Sequence, residues 1–224
     1  MDLDQYRLPA NGAVKLRTRP RSAPRHRSGE WFLKGPIPFN WLSMTSKLPG
    51  KSLAVGLAIW FEAGRSKKRS VKVTHAVLSQ FGVGRQAGTK SLVRLYRAGL
   101  ISLQQHPGRS PVATLLDYQG DCDRGPTNGR SGKWFLKGPI PFNWLSMASR
   151  LPGRSLAVGM AIWFEAGRSK DRSVKMTHAV LSQFGVGRQA GTKSLVRLYR
   201  AGLISLQRHS GRAPVVTLLD GKEL

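Results

Sequence analysis

The sequence predicts a mainly α fold with small β-hairpins, an α+β chain built twice over. Three observations lead to it. Residues 27–117 align with 130–220 at a constant offset of 103, without a gap and with eleven differences. Each copy has the size of a whole domain, not of a solenoid unit. Within a copy, apolar periodicity and turn residues run in one order: helix, short strand, helix, tight turn, helix, hairpin.

In the first copy, Trp31–Pro38 (WFLKGPIP) is expected to be extended or irregular, because its two prolines disfavour helix. Phe39–Leu48 suits a short helix ended by Pro49-Gly50. Lys51–Ala63 (KSLAVGLAIWFEA) is apolar on nearly every side, the mark of a central buried helix, with Gly64 expected to stop it. Val71–Thr74 alternates like a strand, and Thr74 is placed to cap a helix over His75–Phe81. Gly82-Val83-Gly84 makes a turn into a helix over Arg85–Ala98, with Gly99 at its C-terminal end. Leu100–Gln105 and Val112–Asp117 alternate as hairpin strands around His106–Pro111. Trp41, Trp60 and Phe61 are expected in the core.

The division that follows is a flexible basic arm at 1–30, a domain at 31–117, a linker at 118–133, a second domain at 134–220 and a tail at 221–224. Net charge is +26, from 37 Lys+Arg against 11 Asp+Glu. It divides evenly, with 13 basic and 2 acidic residues in 31–117 and 13 basic and 3 acidic in 134–220. Such a balance points to a polyanionic partner. With 40% hydrophobic residues, 6 Trp and 8 Phe, the chain can also bury real cores. The single cysteine, Cys122, excludes a disulfide within the chain and any Cys-based zinc site. The opening MDLDQYRLPANGAVKL lacks a signal-peptide pattern, and the longest apolar run, Leu53–Phe61, falls far short of the ~18 residues a membrane span needs. A cytoplasmic, nucleoid-associated protein is expected.

The stretch GVGRQAGTKSLVRLYRAGLI occurs at Gly82–Ile101 and again, unchanged, at Gly185–Ile204. Together with its flanking helices and hairpin it resembles the winged helix-turn-helix, with LVRLYRAGLI like the end of the recognition helix running into the first wing strand. The resemblance covers about Lys51–Asp117 and Arg154–Asp220. It implies two tandem winged helix-turn-helix domains, mainly α with small β-hairpin wings, and double-stranded DNA as partner.

In that motif the second helix enters the major groove, so it needs an apolar face for the core and a polar face for DNA. Leu92, Leu95 and Tyr96, at i, i+3 and i+4, are expected inward with Ala87 and Val83. Arg85, Gln86, Thr89, Lys90 and Arg94 are expected outward, where Arg suits guanine, Gln suits adenine and Thr suits a base or a phosphate. Gly88 is expected to permit close approach to DNA. The second copy repeats them as Arg188, Gln189, Thr192, Lys193 and Arg197. At the hairpin tips Arg109 and Arg212 are candidate DNA contacts, and the second copy adds Arg208.

Two phosphate-loop patterns fail on context. Gly82, Gly84 and Gly88 follow a predicted helix, not the strand a dinucleotide fingerprint requires, and Pro49-Gly50-Lys51-Ser52 lacks the earlier glycine of a P-loop. Acidic residues are too sparse for metal-assisted chemistry, and no Ser–His pair has an orienting acid. No enzyme, metal or cofactor is expected. The expectation is therefore a sequence-specific DNA-binding protein, a bacterial transcriptional regulator acting as a covalent, monomeric pseudo-dimer on two related half-sites. Direct and inverted half-sites stay open, because a sixteen-residue flexible linker spans about 22 Å on average and roughly 50 Å extended, against about 34 Å per DNA turn. The alternatives are an architectural nucleoid protein, a replication or mobile-element factor, and a protein-interaction adaptor that meets RNA polymerase or other transcription proteins.

Overall fold

The computed structural model describes residues 29–117, 134–208 and 212–220. Residues 1–28 of the basic arm, the linker with Cys122, His209 and the C-terminal tail lie outside them. The first half contains β1 (Phe32–Leu33), β2 (Ile37–Pro38), α1 (Phe39–Lys47), α2 (Ser52–Ser66), β3 (Ser70–Lys72), α3 (His75–Gln80), α4 (Arg85–Arg97), β4 (Ile101–Gln104) and β5 (Val112–Leu115). The second repeats them as β6 (Phe135–Leu136), β7 (Ile140–Pro141), α5 (Phe142–Arg150), α6 (Ser155–Ser169), β8 (Ser173–Lys175), α7 (His178–Gln183), α8 (Arg188–Arg200), β9 (Ile204–Gln207) and β10 (Val215–Leu218). The fold is α+β, with helices predominant and small antiparallel sheets ordered β3-β5-β4 and β8-β10-β9.

Most local expectations hold within a residue or two. Thr74 caps α3, its hydroxyl accepting from the Val77 N–H at 3.3 Å. Gly99 lies just past α4 with φ 67°, the left-handed turn that glycine takes without strain. One stop is misplaced. Helix α2 runs through Gly64 to Ser66, and the left-handed residue that ends it is Lys67, φ 55°. A helical φ costs glycine about 1 kcal/mol relative to Ala but does not forbid it, and the neighbouring turns bury Phe61 and Glu62.

A buried tryptophan anchors each half, Trp41 in the first and Trp144 in the second. Both are fully buried, and the Nε1–H of Trp41 donates to the Leu100 carbonyl at 3.1 Å as that of Trp144 does to Leu203. Helices α1 and α2 cross closely there, because a Cβ on Gly56 would lie 2.8 Å from the Trp41 ring. Phe61 is also core, whereas Trp60 is only half-buried, stacked edge-on against Trp41.

The N-terminal segments of the two halves pair with each other while each stays packed on its own half. Strand β1 pairs antiparallel with β7 (Phe32 opposite Pro141, Leu33 opposite Ile140), and β2 pairs with β6 (Ile37 opposite Leu136, Pro38 opposite Phe135). Leu33, Ile37, Leu136 and Ile140 are all buried at this crossing. Beyond it, Phe39 sits against Phe164 and Phe184 of the second half, with ring centroids at 4.7 and 5.7 Å. Phe142 sits reciprocally against Phe61 and Phe81 at 4.7 and 5.6 Å. Every such contact is returned by its counterpart, the defining property of a two-fold, isologous interface. The buried apolar residues of both halves form one cluster. Spacing between the halves is thus set by packing, not by the reach of a linker.

Candidate nucleic-acid interface

Helix α4 divides cleanly by face. At about 100° per residue, Gly88, Ser91, Leu92 and Leu95 fall on one arc and are buried. Arg85, Gln86, Thr89, Lys90 and Arg97 fall on the opposite arc and are exposed. The same holds in α8 for Arg188, Gln189, Thr192, Lys193 and Arg200. Four of the five expected outward residues of each helix therefore share one open surface. The Thr89 hydroxyl donates to the Arg85 carbonyl at 3.2 Å.

The fifth residue differs. Arg94 is half-buried, and its Nη1–H donates to the Pro49 carbonyl at 3.2 Å, so it ties α4 to the turn before α2. Arg197 does the same with Pro152. Tyr96 also departs from expectation, being 54% exposed, as is Tyr199. Leu92, from which the inward spacing runs, lies at the edge of the apolar arc. One further turn carries Tyr96 roughly 40° past that edge into solvent. Arg97, outside the expected set, lies on the stripe of Gln86 and Lys90 at i+11 and i+7.

Gly88 has another role than the one expected. It is buried, and a Cβ there would lie 2.7 Å from Leu78 Cδ1. It brings α3 and α4 together and does not face the open surface. Gly191 packs on Leu181 identically. Val83 is buried as expected, its N–H donating to the Leu78 carbonyl at 3.0 Å, and Ala87 is half-buried. Gly82, φ 61°, makes the turn between α3 and α4.

The β4–β5 hairpin is closed by a turn in which the Arg109 N–H donates to the His106 carbonyl at 3.2 Å and Gly108 takes φ 69°. Arg109, Arg208 and Arg212 are exposed. Charge is sorted along each half. Glu62 and Asp117 pair with Arg65 and Arg69, and Glu165 and Asp220 pair with Arg168 and Arg172, so these carboxylates leave the cations of α4 and α8 unneutralised.

The halves also build on each other at this surface. A Cβ on Gly82 would lie 2.8 Å from Arg150 Cγ, and one on Gly185 would lie 2.9 Å from Lys47 Cγ. The last helical residue of α1 or α5 thus lies across the opposite half's α3–α4 turn. Hydroxyls hold it there: Ser146 donates to the Gln80 carbonyl at 2.7 Å, Ser43 to Gln183 at 2.6 Å and Ser46 to Phe184 at 3.0 Å. Sequence spacing gives no sign of this, because the partners come from different repeats. Between the halves, the two Pro-Gly turns border a cavity of about 460 Å³. There Lys51 donates to the Ser149 carbonyl at 2.7 Å and Arg154 to Ser46 at 2.5 Å. Burial pushes the Lys51 ammonium below the ordinary lysine pKa.

No group of three or more His, Cys, Asp or Glu residues is placed to hold a metal among the described residues. No described helix is long and apolar enough to cross a membrane. Comparison with protein-family models, with curated proteins and with solved structures finds no match to the chain.

Proposed function

We propose that each half is a winged helix-turn-helix unit and that the chain binds double-stranded DNA with α4 and α8 as its two reading helices. The order α2, β3, α3, α4, β4, β5, with β5 central in the sheet, suits that class. The observation that carries the reading is the open arc of Arg85, Gln86, Thr89, Lys90 and Arg97, free of acidic residues and repeated without change in α8. A helix with such a face presents donors to base edges and cations to phosphates in the major groove. Arg109, Arg208 and Arg212 at the hairpins extend the contact to the flanking backbone.

Because the halves exchange contacts reciprocally, identical reading helices meet the duplex in two-fold relation. DNA shares that symmetry only at an inverted repeat. The chain is thus a single-chain equivalent of a dimeric regulator, with two inverted half-sites at one fixed spacing, working in the bacterial cytoplasm on the nucleoid. In vitro selection from random duplex DNA tests this. The expected product is an inverted repeat whose affinity falls when five base pairs are inserted at its centre. Equal affinity for shuffled sequence at physiological salt would replace sequence reading with architectural coating. A directly repeated motif would refute the two-fold arrangement.

A further inference from the structure

We propose that each half supplies a phosphate contact to the half-site read by the other, through Arg150 beside α4 and Lys47 beside α8. This rests on the DNA-binding reading above and concerns how that same surface is completed. In a helix-turn-helix the first helix crosses the DNA backbone and the second enters the groove, so the turn between them lies against phosphate. At that turn, Gly82 is exposed and carries no side chain of its own, while the stem of Arg150 covers it. Arg150 is exposed and occupies the last turn of α5. Arg85, the first residue of α4, is three positions from Gly82, so cations from two different halves flank one turn. The Ser146 bond to Gln80 fixes α5 against the end of α3, which sets the position of Arg150 without using its charge. Lys47 holds the equivalent place at Gly185, with Ser43 and Ser46 as its anchors. The two positions differ in side chain, yet both carry one positive charge, which suits a phosphate better than a base edge.

The reciprocal arrangement gives the test a crossed signature. The full chain is used throughout, with a duplex carrying the selected half-sites. In one background Arg188→Ala and Lys193→Ala silence α8; in the other Arg85→Ala and Lys90→Ala silence α4. Into each go Arg150→Met and Lys47→Met, which keep an apolar stem over the glycine and remove the charge. With α8 silenced, Arg150→Met is expected to weaken binding several-fold and to flatten the dependence of log K on log salt by about 0.9, one phosphate contact. Lys47→Met should then have no effect. With α4 silenced the two exchange roles. Arg150→Lys is expected to restore affinity, and none of these changes should move the melting temperature. Effects confined to the same half, or equal in both backgrounds, would overturn the proposal while leaving DNA binding intact. A wild-type chain that binds no duplex would overturn both readings together.

Discussion

Replacing Gly35 with Ala tests the interlock of the two halves. A Cβ at Gly35 would stand 2.7 Å from the Gly138 backbone nitrogen and 2.9 Å from the Leu136 carbonyl oxygen. Both atoms are main chain, so no rotamer change relieves the clash and the two backbones must separate. Overpacking of this kind costs about 1–3 kcal/mol. Gly35 does not have a positive φ, so Ala also restricts the unfolded chain and returns ~0.4–1 kcal/mol. The net loss is about 1–2 kcal/mol, or roughly 2–8 °C of melting temperature for a chain of this size. Gly138→Ala should match it, because its Cβ meets the Gly35 nitrogen at 2.7 Å and the Leu33 carbonyl at 2.9 Å. The double variant should lose less than the sum, since one separation of the same two backbones accommodates both methyl groups. Thermal melting followed by far-UV circular dichroism and tryptophan fluorescence measures all three. Gly167→Ala is the control of opposite sign: it lies within α6, its Cβ would sit 3.5 Å from Lys137 Cβ, and it should gain up to about 1 kcal/mol. A Gly35→Ala chain as stable as its parent, or single losses that simply add, would refute the close crossing.

Two further outcomes follow from the site. Arg94→Ala should lower the unfolding free energy measured by urea denaturation by about 0.5–1.5 kcal/mol through loss of its bond to Pro49, whereas Arg85→Ala should stay within about ±0.5 kcal/mol while weakening DNA binding; equal stability effects would show that Arg94 is not docked. The burial that depresses Lys51 means that the unfolded chain holds a proton more tightly than the folded chain, so stability should rise as pH increases from the lowered folded pKa to the ordinary value of 10.5. Urea denaturation across that window, compared with Lys51→Met, isolates the group: the parent should gain on the variant as pH rises, and parallel curves would remove the effect.

The elements within one half were legible because their signals are local. Thr74 before an apolar turn, Gly82 and Gly99 at sharp reversals and the alternation of Val112–Leu115 each act over a few residues. The polar arc of α4 was legible for the same reason, since helical spacing alone separates Arg85 and Lys90 from Leu95. Tertiary packing decides the rest. Tyr96 and Leu92 are neighbours by spacing, but Leu78 and the core lie nearer the Gly88–Leu95 line. Gly88 reads as permissive in isolation and acquires a definite purpose only beside Leu78. Arg94 has the composition of a DNA contact, and only the position of Pro49 shows where its guanidinium goes.

The pairing between repeats could not be read from spacing, because a near-identical repeat offers each partner twice. Phe39 could sit on Phe61 and Phe81 of its own half or on Phe164 and Phe184 of the other, and the local chemistry of the two places is the same. The structure takes the second option: Phe39 packs on Phe164 and Phe184 while Phe142 fills the place between Phe61 and Phe81. A half alone would therefore lose the strand partners of Leu33 and Ile37, the aromatic partners of Phe39 and the Ser146 bond at the end of α3. Burial of such groups is the main favourable term in folding, so one copy is an incomplete folding unit and the second copy stands where a homodimer's partner would. That dependence has a consequence for the surface it supports. Substitution at the crossing acts on the supports of both α4 and α8 at once, whereas substitution on the exposed arc of one of these helices acts on that helix alone.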